Sequence, residues 1–272
     1  MTTPVTRVAL PPLGRIYRSQ VRVELKEFFR QREAVVFTVL FPVMLLVVFG
    51  AVLNYDLGGG VSFTQYFMAG IIAAGILGAG LQNLAIGIAT ERSDGTLKGL
   101  AGTPMPKSAY FVGKIVQVLA VTVLIEALLL LIGGLVYGIH LPSGTQWLTF
   151  GWVSLLGSAA CTLLGIAVSS LAKNGRSASA TVTPIALVLE FISGVFFRFD
   201  QVPAWMQQIA ALFPLKWMAQ GLRSVFLPEA LAAQEPAGSW ELGRVALVLA
   251  AWCVVGLALC VATFRWQDRG DG

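Results

Sequence analysis

Two stretches of this chain run for 30 and 32 positions without a charged residue, Val61–Thr90 and Leu141–Ala172. A bilayer's hydrocarbon core is about 30 Å thick, and roughly 20 helical residues cross it. Each run is therefore long enough for a tilted helix plus an interfacial entry. Ala34–Leu53 and Val245–Phe264 are each 20 residues long and equally free of charge. Ile115–Ile139 and Ser177–Phe197 each contain one acid, Glu126 and Glu190 respectively. Nothing alternates with the period of two that a lipid-facing barrel requires. The expected fold is an all-α membrane protein of six transmembrane helices, over 34–54, 61–90, 107–139, 146–172, 177–197 and 244–265.

Composition agrees, with 56% hydrophobic and only 12% charged residues. A soluble domain carries roughly a quarter charged residues. The net charge of +5 does not point to nucleic acid, because the basic residues sit at the ends of apolar runs rather than in an aromatic-interleaved stripe. Their distribution sets orientation instead. Arg7, Arg15, Arg18, Arg22, Lys26, Arg30 and Arg32 precede the first span, and every second connection adds more. These are Arg92, Lys98, Lys107 and Lys114, then Lys173 and Arg176, then Arg265 and Arg269. The opposite side has four, Arg198, Lys216, Arg223 and Arg244, all in or bordering one connection. The positive-inside bias places both termini in the cytoplasm.

Residues 1–33 do not read as a cleavable signal, since seven basic residues precede an apolar run too long for one. Ile16, Val21, Val23, Leu25, Phe28 and Phe29 alternate with basic residues that include Arg22 and Lys26. This predicts a helix in the inner interface, with Phe28 and Phe29 turned to lipid and the cations near anionic headgroups.

The one compact polar insert between long apolar runs is Glu91–Lys114, ERSDGTLKGLAGTPMPKSAYFVGK. Ser93-Asp94-Gly95-Thr96 reads as a helix N-cap with an acid in the first turn. Leu97 and Leu100, three apart, give a short helix over 91–106 a small apolar stripe for a partner groove. Gly102 permits a left-handed stop, and Thr103 before Pro104 is biased to extended backbone. The second connection of note, 198–243, breaks at Pro203 and Pro214 into two half-length segments carrying Trp205 and Trp217. It reads as a re-entrant helical hairpin, because a solvent-exposed loop would display Trp205, Met206, Ile209, Leu212, Phe213 and Trp217 to water.

The series Glu91-Arg92, Gly95-Thr96-Leu97, Leu100, Thr103-Pro104 and Gly113-Lys114 resembles the connection between the second and third helices of ABC-2 type transporter permeases. Further along, Ser193-Gly194, Pro203-Ala204-Trp205, Phe213-Pro214-Leu215 and Arg223 are similar to that family's external segment before the last helix. The order of elements agrees along nearly the whole chain and looks most like the daunorubicin-resistance type of drug-exporter permease. The resemblance implies one membrane domain over 1–272, with a coupling helix at 91–106 and a second permease copy as partner, most simply a homodimer. It also implies two ATPase subunits on the cytoplasmic face of a bacterial inner membrane. Related permeases meet at the dimer axis through their first and fifth helices. That makes Pro42, Glu190, Gly194 and Phe197 candidates for the substrate path or dimer interface.

The chain's own chemistry supports this division of labour. No G-x-x-x-x-G-K-[ST] pattern occurs, and Gly113-Lys114 is followed by Ile115 where a hydroxyl is needed for Mg²⁺. ATP and Mg²⁺ are therefore expected on a partner, with no cofactor or metal held here. His140 is the single histidine, and Cys161, Cys253 and Cys260 lack metal-ligand spacing. No catalytic residue is expected. Glu126 and Glu190 each face protein, face a cavity or stay protonated, since a charge at mid-bilayer costs about 2.5–3.5 kcal/mol. Gly75, Ala79, Asn83 and Gly87 share one helix face, and Gly157, Cys161, Gly165 and Ser169 another, as close helix packing requires. The expected function is the permease subunit of an ATP-driven exporter of lipophilic drug-like or lipid compounds. Export of lipid-linked glycan, and a membrane enzyme or scaffold without an ATPase, are the alternatives.

Overall fold

The computed structural model describes residues 11–264 apart from Asn54, Gly59, Lys173 and Asn174. Arg7, Lys173, Arg265 and Arg269, counted above toward the basic side, lie outside the described residues. The architecture is helical: α1 (Leu13–Arg30), α2 (Arg32–Val52), α3 (Phe63–Ser93), α4 (Thr96–Ala101) and α5 (Lys107–Tyr137) come first. α6 (Thr145–Leu171), α7 (Gly175–Ile192), α8 (Ala204–Ala210), α9 (Pro214–Phe226) and α10 (Leu242–Thr263) complete it. Five of these, α2, α3, α5, α6 and α10, are long and apolar enough to cross a membrane. α7, expected as the fifth of six spans, is a helix but is not among the five. It stops at Ile192, five residues short of the expected end, and its first half is diluted by Arg176, Ser177, Ser179, Thr181 and Thr183.

α3 is the spine. Within its most apolar window 72% of residues are buried, against 17% for α10, which therefore turns most of its surface outward. α3 packs on α2, α5, α6 and α9. Its closest approach to α6 is made by Gly80, where an added Cβ would sit 2.8 Å from Cys161 Cβ and 3.1 Å from the Thr162 backbone nitrogen. The expected α3 stripe is thus off by one position at this contact. Gly75 instead receives Ile125 of α5, and Gly87 meets nothing. The α6 stripe does work as a contact: Gly157 accepts Met218 of α9, and Gly165 abuts the Gly80 carbonyl.

Three backbone irregularities lie along α2, α3 and α7. Val36–Leu40 of α2 and Gly78–Asn83 of α3 are wound as π-helix, and the two segments touch. Pro42 explains the first: it has no N–H to give and its ring crowds the carbonyl four residues back, so the preceding turn widens. Pro184 interrupts the ladder of α7.

The polar insert folds differently from the expectation. Glu91, Arg92 and Ser93 are the last turn of α3, and the separate helix spans only Thr96–Ala101. Neither Ser93 nor Asp94 caps it. Gly95, at φ +78°, is the left-handed residue that reverses the chain, and the Ser93 hydroxyl donates back to the Thr90 carbonyl. Gly102, expected in the left-handed stop, has φ −81°.

α1 lies against α5 through Gln20, Glu24 and Phe28, which repeat every fourth residue and are buried. Gly113 makes room: a Cβ there would stand 2.9 Å from Glu24 Cγ and 3.0 Å from Gln20 Cγ. Gly113→Val should therefore push α1 off α5 and destabilise the protein by about 1–3 kcal/mol, as overpacking does. Faster protease cleavage within residues 13–30, at unchanged helix content, is the expected readout.

Candidate functional site

At the end of the bundle that gathers the basic residues, three helices meet on one ammonium. Lys114 of α5, 4% exposed, is placed one residue after the Gly113 contact and so points between α1 and α3. Its Nζ lies 2.6 Å from Glu24 Oε2 of α1 and donates to Glu91 Oε1 at the end of α3. Tyr110, one turn earlier on α5, donates its hydroxyl to Glu91 Oε2 at 2.8 Å. Gln20 donates to Glu24 Oε1 at 2.8 Å. Burial pushes the Glu24 carboxyl above its ordinary pKa, and the Lys114 ammonium opposes that shift. Glu24, Glu27 and Glu91 bring carboxylate oxygens within 4.8 Å of one another, a donor set a cation could use. The Lys114 ammonium already stands against two of the three and supplies their counter-charge.

The turn beside this node is polar and exposed. Asp94, Gly95, Thr96, Lys98, Gly99, Ala101, Thr103 and Pro104 face outward. Leu97 does not: it is 0% exposed and packs in the chain's own core, with Leu100 half-buried against it. The apolar stripe read as a partner contact is therefore the side by which α4 is held down. Arg92 reaches sideways to the Ser169 carbonyl of α6 at 3.1 Å. On α1, Arg22 and Lys26 are exposed, Phe29 is about half exposed, and Phe28 is turned into the bundle rather than outward.

A second buried node sits at the far end. Arg223 of α9 is fully buried, paired to Glu235 at 2.7 Å and bonded to the Gly194 carbonyl at 2.8 Å, with the Tyr66 ring 4.7 Å away. Gly194 takes φ +72°, and a Cβ there would meet both Arg223 and Phe199. Pro203 precedes α8 and Pro214 opens α9, as the sequence implied. Their two tryptophans part company. Trp217 is buried, donating to the Ala211 carbonyl at 2.8 Å, while Trp205 on α8 is 59% exposed. Phe197, in the turn after α7, is also exposed.

Between α2, α3 and α7 lies a cleft of about 1070 Å³, the size of a large small-molecule pocket. Pro42 and Glu190 both line it; Gly194 and Phe197 do not. Its walls include both π-helical segments, and Gln82 in the second donates to Thr183, beside Pro184, at 3.0 Å. The cleft ends beside the Lys114 node, where Glu27, Glu91, Asp94 and Thr96 form its rim.

A family model described as "ABC-2 family transporter protein" matches residues 54–262. This chain belongs to the ABC-2 transporter family. It is a multi-pass membrane protein. Similar proteins include "Putative transport permease YvfS" of Bacillus subtilis (strain 168), 22% identical over 199 residues, 73% of this chain and 80% of that protein. "Inner membrane transport permease YadH" of Escherichia coli (strain K12) is 23% identical over 212 residues, 74% of this chain and 80% of that one. "Probable multidrug ABC transporter permease YbhR" of the same organism is 23% identical over 146 residues, 54% of this chain and 39% of its own length.

For this ABC-2 chain, sequence reading found Glu91 but not its partners. Glu24, Tyr110 and Lys114 were hidden because they lie on three separate segments, and no spacing rule links residues 24, 91 and 114. The signal within reach was Gly113-Lys114, a cation directly after a packing glycine inside an apolar helix. Lys114→Met should leave two carboxylates buried and uncompensated, lowering stability by about 3–5 kcal/mol. Adding Glu24→Gln and Glu91→Gln should restore most of it, with thermal unfolding of the detergent-solubilised protein as the measurement.

Burial also depresses the Lys216 ammonium to a pKa of about 8, against an ordinary 10.5. Between those values the Lys216 ammonium holds its proton in the unfolded chain more than in the folded one, so this group's contribution to stability rises with pH. Raising the pH from 8 to 10 should therefore raise the stability of the wild type relative to Lys216→Met by at most about 3 kcal/mol, read as the difference between their thermal unfolding midpoints.

Proposed function

We propose that this chain is the membrane permease subunit of an exporter driven by a separate ATPase. The basic end faces the cytoplasm, as the charge count supports. α7 completes a six-span bundle with α2, α3, α5, α6 and α10, and α8–α9 form a hairpin in the outer leaflet. Two copies related by the α2 and α7 faces carry two ATPase subunits, which bind the ATP and Mg²⁺ that this chain has no motif to hold. The cargo is a lipophilic, drug-like or lipid molecule; the multidrug wording in the name of YbhR supports the first.

The observation that carries this reading is the Lys114 node. It clamps α1, the end of α3 and α5 together beside the exposed α3–α4 turn, and its Glu91 is also part of the cleft rim. A push delivered to that turn then moves the interfacial helix and the cleft wall together. Rigid transmission needs such a buried, hydrogen-bonded pair, because an exposed one contributes little.

The docking face is the polar outer side of 94–104, and Gly99 is its cleanest probe, since an added Cβ there meets nothing within the chain. Gly99→Arg should leave the thermal midpoint unchanged or slightly raised, since glycine is the poorer helix former. It should weaken capture of the co-purifying ATPase by at least about tenfold, roughly 1.4 kcal/mol. Full ATPase capture and drug-stimulated hydrolysis by Gly99→Arg would remove the turn from the interface.

A further inference from the structure

Charge is distributed unevenly along the cleft. Its rim is mixed, with Glu27, Glu33 and Asp94 standing among Arg30 and Arg32. Deeper in, the lining along α2, α3 and α7 is apolar or neutral, and Thr38, Gln82, Asn83 and Thr183 supply its hydrogen-bonding groups. The one ionisable residue of that deep lining among the described residues is Glu190. It sits 15 residues from the start of α7, roughly 22 Å along the helix at 1.5 Å per residue. No neighbouring cation or hydrogen-bond donor among the described residues engages its carboxylate. Phe37, Phe41 and Leu187 provide apolar wall in the same cleft.

We propose that the cleft is a binding site for amphiphilic organic cations. The apolar body lies against Phe37, Phe41 and Leu187, and the positive charge is set opposite Glu190. Glu190 is half-buried, and a carboxylate partly withdrawn from water without a counter-charge favours any ligand that brings one. A phosphate-bearing lipid or glycan carrier would set its own anion against Glu190, with no deep Lys or Arg among the described lining residues to receive it. The polar collar formed by Gln82 and Thr183 at the level of the π-helical turns lets a solvated head pass without stripping all its hydrogen bonds at once. This deepens the permease reading by naming its substrate class, yet the charge preference belongs to this chain alone and needs no ATPase.

The test uses tetraphenylphosphonium and tetraphenylborate, ions of the same shape and apolar surface but opposite charge. Binding of each to the full chain in phosphatidylcholine nanodiscs is measured by equilibrium dialysis, with empty discs subtracted. The phosphonium should bind at least about tenfold more tightly than the borate, equivalent to 1.4 kcal/mol. Glu190→Gln should abolish that preference, Glu190→Asp should retain it, and Glu126→Gln, which lies outside the cleft, should leave it unchanged. Equal binding of the two ions, or a preference that survives Glu190→Gln, would overturn the proposal. Failure of the permease reading looks different: phosphonium binding would depend on Glu190 as expected, but no ATP-driven efflux would appear with any partner ATPase. Conversely, efflux of other cargo without a phosphonium preference would retain the permease and reject the cation site.

Discussion

One buried ammonium organises the basic end of this protein. Lys114 is shared between Glu24 and Glu91, on helices that approach α5 from different parts of the chain. Moving three charges out of water is expensive, and their mutual attraction repays it only when geometry and extra hydrogen bonds are good. Here Tyr110 and Gln20 supply those bonds. Such an arrangement tolerates little displacement of any one member. α1, the end of α3 and α5 are therefore held as one body, and α4 is added to it by the burial of Leu97.

α3 carries that constraint through the membrane. It begins beside Tyr66, which faces the buried Arg223 node, and ends at Glu91, so one helix joins both ionic clusters. Between them it is interrupted by its π-helical turn, which contacts the matching turn of α2 and, through Gln82, reaches α7 next to Pro184. The rigid parts are thus at the two ends and the irregular backbone is at the cleft. π-bulges inside helices recur at functional sites, and this pair flanks the cleft between α2, α3 and α7.

Much of this was legible in the residues. Charge-free runs located α2, α3, α6 and α10, and a run broken only by Glu126 located α5, because lipid demands length and apolarity, and both are additive along a sequence. Pro203 and Pro214 marked the breaks around α8 and α9 because proline acts locally. What could not be read was anything depending on which helices become neighbours. The capping pattern at Ser93-Asp94 lost to the continuation of α3, whose end is held by Glu91 and by Arg92 on Ser169. Leu97 looked like a partner contact because a helix of six residues shows an apolar residue without showing what lies beneath it. Phe28 and Phe29, adjacent in sequence, point to protein and to the exterior, since one helical step of 100° separates them. Pro42 and Glu190, inferred from family likeness, do share a cleft. Gly194 was grouped with them, but its left-handed backbone turns it to Arg223 instead.

The central claim is that the Lys114 node makes α1 and the α3–α4 turn a single rigid body. Spin labels at Arg22 on α1 and Gly99 on α4, both exposed, allow the distance between them to be measured by pulsed electron resonance. A narrow distance distribution in the otherwise native protein, broadened by Lys114→Met, is the predicted result. A broad distribution in the native chain, or one that stays equally narrow without the lysine, would contradict it.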